Sequence, residues 1–339
     1  MATIPPPVFY PPFNITRVGY AAMTVRDLER SLRFYTRVIG LVVSAREGNT
    51  AYLRGIEEVG HHSLILREST EEPSCERIGF RVLTELELDR AHDHFKGLGL
   101  HAAWVDRPWQ DRTLEVRDPA GMPVEFVARM TPMPRRTIET DHFPGAAALR
   151  FDHLQVHSAD IPGACAFWTS LGFRTSDFVA GGPDDTLIGV FMHRKDIPWD
   201  IVFMPGPGPR LHHFAYCTPS VHDMMKGCDA AGIHGFGQLV ERGPGRHNQG
   251  HVQYTYFRDP DGHRCEIIPE SPKQMLDLEL EPQRWDEAKR KATMDWGYPA
   301  PQCWYDDASP FAGVEPKPGM VVPGRISLEQ YLAARAKKG

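Results

Sequence analysis

Short apolar runs and longer segments of helical spacing alternate along this chain in a repeated order. The run Val18 to Val25 predicts a strand, and a helix opened by Asp27 follows to about Val38, where Gly40 ends it. Asp caps a helix by accepting from an unpaired first-turn N–H, and glycine ends one by taking a left-handed conformation without strain. Runs at Leu41 to Ala45, Thr50 to Leu53 and Ser63 to Leu66 then predict three more strands. Together these make one β-α-β-β-β unit.

The order recurs three times. Ile78 to Leu83 and Leu86 to Phe95 precede Gly99; Phe151 to Val156 and Pro162 to Ser170 precede Gly172; Leu211 to Cys217 and Ser220 to Asp229 precede Gly232. Repetition at this scale predicts a duplicated architecture. Aligning the terminating glycines places Tyr20 20 residues before Gly40, and Phe80, His153 and His213 19 residues before theirs. The first-strand position therefore reads Tyr20, Phe80, His153, His213.

Two turn signatures support the duplication. Arg258-Asp259-Pro260-Asp261-Gly262 lies between the apolar run Val252 to Phe257 and Ile267-Ile268, so it predicts a β-hairpin with Glu266 in its second strand. Arg117-Asp118-Pro119-Ala120-Gly121 repeats the pattern, with Glu125 at the matching offset.

The expected fold is α+β, with four βαβββ modules paired into two similar domains, each an open barrel-like sheet around a cavity. The expected divisions are an N-terminal arm (1–15), a first domain without metal (16–130) and a linker (131–148). A second, metal-binding catalytic domain (149–270) and a C-terminal extension packing over the active site (271–339) follow. Trp285, Trp296 and Trp304 make that extension too aromatic for a disordered tail. Disorder is expected only after about Lys337.

Chemistry concentrates in the second half. There the repeat places two imidazoles, His153 and His213, at equivalent positions, and Glu266 adds a carboxylate. A single strand histidine is more often an ordinary strand residue, but a matched pair with a carboxylate forms a 2-His-1-carboxylate set. Such a set holds one face of an octahedral ion and leaves positions open for substrate. The first half offers Tyr20, Phe80 and Glu125 instead, and its adjacent His61 and His62 lack further ligands.

Composition narrows the alternatives. The chain has 339 residues, 41% of them hydrophobic, and a net charge of −6 without a basic cluster, so nucleic acid is a poor partner. No apolar run is long enough to span a membrane, and the proline-rich start does not read as a secretory signal. Six scattered cysteines suit a reducing cytoplasm.

The segments HRK (His193 to Lys195), GPRLHH (Gly208 to His213), ERGPGRH (Glu241 to His247) and RDPDGHRCEI (Arg258 to Ile267) carry a resemblance. The chain resembles the type I extradiol ring-cleaving dioxygenases of the vicinal oxygen chelate superfamily, homoprotocatechuate and catechol 2,3-dioxygenases in particular. The resemblance implies a non-haem Fe(II), or Mn(II), held by His153, His213 and Glu266. It also implies a catecholic substrate, O₂, ring opening beside the hydroxyl pair, and a homo-oligomer, often a tetramer. Catalytic roles would fall to His247 and Tyr256, and substrate contacts to Arg242, Trp199, His193, Phe191 and Gln155. Two departures stand out. Trp199 replaces an acid-base histidine of the family, and Thr293 stands where a second carboxylate-binding arginine is expected, with Arg290 and Lys291 close but not aligned. A glyoxalase-like isomerase or lyase acting without O₂ is the competing enzyme reading, and a drug-sequestering binding module the competing non-enzyme one.

Overall fold

A computed structural model describes residues 2–139, 142–182, 184–196, 198–270, 281–286, 296–320, 322 and 326–337. Thr293, Arg290 and Lys291 lie outside the described residues. The first half forms one sheet from β1 (Ile15–Val25), β2 (Val42–Glu47), β3 (Thr50–Arg54), β4 (Leu64–Glu68), β5 (Cys75–Val82), β6 (Ala102–Val105), β7 (Thr113–Arg117) and β8 (Pro123–Val127). Its order is β2-β3-β4-β1-β5-β8-β7-β6. Helix α1 (Leu28–Phe34) follows β1 and α2 (Glu85–Gly97) follows β5.

The second half repeats this plan. It contains β9 (Arg150–Ser158), β10 (Arg174–Gly181), β11 (Thr186–His193), β12 (Ile201–Pro205), β13 (Arg210–Thr218), β14 (Val240–Arg246), β15 (Gln253–Arg258) and β16 (Arg264–Pro269), with helices α3 (Ile161–Ser170) and α4 (Val221–Ile233). The order is β14-β15-β16-β13-β9-β12-β11-β10, and β17 (Gln283–Asp286) extends the β10 edge. Two short helices, α5 (Gln302–Asp306) and α6 (Leu328–Ala336), and the strand β18 (Ser309–Pro310) against β13 complete the described chain. In every unit the last strand returns parallel to the first, and the two units of each half meet at an antiparallel first-strand pair. The α+β class and the duplication are as the repeat predicts. No helix among the described residues is long and apolar enough to cross a membrane.

Local signals act where expected, with one exception. The Asp27 carboxylate accepts from the Arg30 N–H at 2.9 Å, and Gly40 ends the following turn at φ 83°. Gly99 and Gly172 also take positive φ. Gly232, however, lies within α4, which continues to Ile233, and the left-handed residue after it is Gly235, at φ 79°. Counted from the true terminators, His213 lies 22 residues before Gly235 and Arg77 lies 22 before Gly99. Sheet pairing agrees: Arg77 stands opposite Ala22 as His213 stands opposite Gln155. The first-half counterpart of His213 is therefore Arg77, and the assignment to Phe80 is corrected.

Each central strand of the second sheet turns one face to a core shared by both halves. Leu154, Val156, Leu211, Phe214, Tyr216 and Ile267 belong to that core. Aromatic pairs cross between the halves, including Phe34 with Phe236 at 5.5 Å and Phe80 with Trp168 at 5.1 Å. Hydrogen bonds cross as well. Asp200 accepts from the Val18 N–H at 2.7 Å, and Tyr35 donates its hydroxyl to Asp259 at 2.9 Å. Asp259 is buried in the Asp-Pro-Asp-Gly turn and also accepts from the N–H groups of Asp261 and His263. Its carboxyl is pushed up by burial, which these donors only partly oppose.

Removing one donor from a buried acceptor costs about 1–3 kcal/mol. Tyr35→Phe is expected to lower the unfolding free energy by about that amount, with an unchanged denaturant slope. Urea unfolding followed by circular dichroism checks it; an unchanged midpoint would remove Tyr35 from the bonds that join the halves.

Candidate active site

Strand alternation alone does not explain how the histidines reach the opposite face. Two apolar residues that both face the core should be separated by an even number of steps. Phe151 and Leu154 are three apart, and so are Leu211 and Phe214. Register shifts occur at both places, between Phe214 and Tyr216 opposite the first segment and between Leu211 and His213 in the second. A bulge adds one residue to a strand and re-aims its side chains. Here each bulge places two consecutive polar residues, Asp152-His153 and His212-His213, between core residues. Glu266, opposite Ala215, arrives from β16.

The three side chains converge. The Nε2 atoms of His153 and His213 lie 3.1 and 3.2 Å from Glu266 Oε2 and 3.4 Å from each other. All three residues are buried, and their ligand atoms lie within 4.8 Å of one another. Asp152 accepts from His153 Nδ1 at 2.8 Å, which turns Nε2 of that ring toward the group. Burial works to raise the Glu266 carboxyl, but the His153, His213 and His247 rings around it hold it well below the usual carboxylate range. Burial pushes His213 down to about 4 despite Glu266. An anionic carboxylate beside a neutral imidazole is a donor pair ready for a divalent ion. The second carboxylate oxygen, Oε1, is buried without a hydrogen-bond partner among the described residues, with His247 Nε2 at 3.5 Å. Two imidazole nitrogens, one carboxylate and an open side suit a catalytic ion.

The open side is a cavity of about 660 Å³. His247 and Tyr256 face each other on its wall, with His247 Nε2 2.8 Å from the Tyr256 hydroxyl. Burial lowers the pKa of His247, and burial together with the Glu266 charge holds that of Tyr256 well above the usual tyrosine value. Arg242 lies between aromatic faces, 4.8 Å from the Tyr254 ring and 4.6 Å from that of Trp304. Trp199 also lines the cavity, its ring edge-on to His153 at 5.3 Å and its indole N–H directed at Asp177. Gln155 and Phe191 line it too. His193 is not among the cavity residues: it is buried, with Nδ1 2.7 Å from the Lys195 carbonyl.

Several wall residues carried no sequence signal as site residues. Asn248 and Gln249 follow His247, and His157 lies four residues beyond His153 on β9. Tyr298, Ala300, Trp304, Tyr305 and Tyr331 come from the C-terminal extension. Only the aromatic content of that segment hinted at packing.

The matching position in the first half is closed. Tyr20 bonds Glu125, Arg77 Nε bonds it at 2.9 Å and Arg107 Nε at 2.6 Å. Two guanidinium groups thus neutralise the buried carboxylate that an ion would otherwise need to reach. His62 packs against Tyr20, and His61 stacks on Trp109. Burial lowers His61 to about 4 and His62 to about 3.

A family model described as the glyoxalase/bleomycin resistance protein/dioxygenase superfamily matches residues 17–126 and 150–267. The homoprotocatechuate 2,3-dioxygenase of Arthrobacter globiformis superimposes with a TM-score of 0.86 at 32% identity, over 94% of this chain and 100% of that one. That of Brevibacterium fuscum, in complex with 3,4-dihydroxyphenylacetate, superimposes with a TM-score of 0.85 at 31% identity, over 94% and 99%. A manganese-dependent 2,3-dihydroxybiphenyl 1,2-dioxygenase of Geobacillus genomosp. 3 is 25% identical over 84% of this chain and 94% of its own. The chain belongs to this superfamily and, within it, to the extradiol ring-cleaving dioxygenases.

The two carboxylates should respond differently to neutralisation. A single metal equivalent per chain is expected, and Glu266→Gln is expected to abolish its binding. Glu125→Gln should leave that equivalent in place but cost about 3 kcal/mol of stability, because it strands buried guanidinium charge. Elemental analysis and thermal unfolding of both variants provide the check. A second equivalent lost on Glu125→Gln would mean that the first half binds metal.

Proposed function

We propose that this dioxygenase opens the ring of a substituted catechol next to its hydroxyl pair, using Fe(II) or Mn(II) held by His153, His213 and Glu266. The observation that carries the reading is the convergence of those three ligand atoms beside the His247–Tyr256 pair on one cavity wall. A bound divalent ion would supply a chelation point for two adjacent ring oxygens and for O₂, and would favour deprotonation of those oxygens. The remaining work falls to the chain. Tyr256, its own proton firmly held, donates a hydrogen bond to one catecholic oxygen. His247 is neutral near pH 7 and reaches both Tyr256 and Glu266, so it can take up and return a proton on that side. Trp199 cannot, because indole only donates and does not titrate in this range. It narrows the cavity where the family resemblance implies a histidine. Arg242, held between two rings, can orient an anionic or strongly polar ring substituent.

The six cysteines are free, which favours a reducing compartment such as the cytoplasm. A homotetramer is part of the same reading and is open to light scattering. The function is tested by loading metal-free protein with Fe(II) or Mn(II) and following O₂ uptake and yellow product across substituted catechols. No uptake with any catechol, by protein holding one metal per chain, would overturn it.

His247→Asn and Tyr256→Phe are each expected to keep metal and substrate binding while lowering turnover by roughly 10²–10⁴-fold. Equilibrium binding of a catechol under anaerobic conditions separates the two effects. Trp199→His should retain the metal, widen the range of accepted catechols and change the pH dependence of turnover. A variant with the parent's range and pH profile would reduce Trp199 to packing.

A further inference from the structure

The bulge at Leu211–Phe214 places a second histidine beside the first. His212 is 1% exposed, and its Nδ1 lies 2.7 Å from Nδ1 of His213. Its other nitrogen, Nε2, lies 2.8 Å from the backbone carbonyl of Trp304 in α5. A carbonyl oxygen only accepts, so Nε2 of His212 must carry the hydrogen. A neutral ring with its hydrogen there presents a lone pair at Nδ1. The hydrogen between the two rings then belongs to His213 Nδ1, and Nε2 of His213 is left as a lone pair facing Glu266.

A doubly protonated His212 would reverse this order, but its surroundings oppose a cation. The Arg264 guanidinium donates to the His212 carbonyl at 3.2 Å, His157 packs against the ring at 4.8 Å, and no carboxylate among the described residues bonds to it. Arg264 also donates to the carbonyls of Asp307 and Cys303, and its charge is matched by Glu241. It therefore clamps α5, and with it the Trp304 carbonyl, against β13.

We infer that His212 is a positioning residue, which fixes the tautomer of His213 through a hydrogen-bond chain ending on the Trp304 carbonyl of the C-terminal extension. Asp152 does the corresponding work for His153 directly. The first half has the same bulge without the chain: Glu76 takes the place of His212 and pairs with Arg77 at 3.2 Å. The extension thus acts on the ligand set through its backbone as well as lining the cavity.

The inference rests on the proposed metal reading and has a test that separates the two. Mn(II) binding to metal-free protein is measured from the electron paramagnetic resonance signal of the free ion. His212→Phe deletes both hydrogen bonds and is expected to weaken Mn(II) binding on the order of 10–100-fold, the usual effect of losing such a partner. His212→Gln keeps one acceptor and one donor and should bind within a few-fold of the parent. Long-range ¹H–¹⁵N NMR of the metal-free parent should show His213 protonated at Nδ1. Protonation at Nε2 alone, or His212→Phe binding Mn(II) as tightly as the parent, would overturn the inference. If the parent itself bound no Mn(II) or Fe(II), the metal reading would fail, while the NMR result would still decide the tautomer. The same NMR measurement decides it if His212→Phe does not fold.

Discussion

A buried carboxylate in the middle of a sheet must be neutralised, and most of what distinguishes the two halves follows from how each one does it. Glu125 and Glu266 occupy equivalent positions, opposite Gly79 and Ala215. The first half brings Arg77 and Arg107 to its carboxylate. Guanidinium is permanently charged, and the two groups take one oxygen each, so the site is complete and closed. The second half surrounds Glu266 with imidazoles, which can be neutral donors of a lone pair and leave room for an ion. One duplicated scaffold thereby holds a structural salt bridge on one side and an open group of two imidazoles and a carboxylate beside a cavity on the other.

The sheet supplies the geometry through its irregularities. A regular strand would give each face alternate residues, and the partner of a cavity histidine would be a residue two positions away or across the sheet. The bulges at 151–154 and 211–214 instead put adjacent residues on one face. His153 and His213 thus each have a chain neighbour within reach of Nδ1, Asp152 in one case and His212 in the other. The core face keeps its apolar residues through the same device, so packing between the halves and chemistry in the cavity do not compete.

The cavity walls come from four sources: the second sheet, the segment before β12, the loop after β14, and the C-terminal extension. Arg242 shows why the last of these matters. Its guanidinium is held by Tyr254 of the sheet and Trp304 of α5 together, and the same Trp304 ring lies 4.3 Å from that of Tyr256. Without α5 the charge would be free to turn to water, and its fixed position on the cavity wall would be lost.

Much of this was legible in the chain itself. The repeat of strand, capped helix and glycine determined the four units, and Asp-Pro-Asp-Gly with Glu266 determined the hairpin, because turn and cap chemistry act over a few residues. His153 and His213 also stood out from the repeat, although His213 was reached by counting from Gly232, a glycine inside α4. Its counterpart Arg77 was missed for that reason, since a glycine marks a helix end only where the backbone takes a positive φ. What only the tertiary structure decided depends on contacts distant in sequence. His212 meets a carbonyl 92 residues away, and Tyr35 a carboxylate 224 away. His193, whose motif pointed to the site, turns to its own loop. Hydrophobic periodicity specifies which face of an element is buried, but not which side chain from another element arrives to meet it.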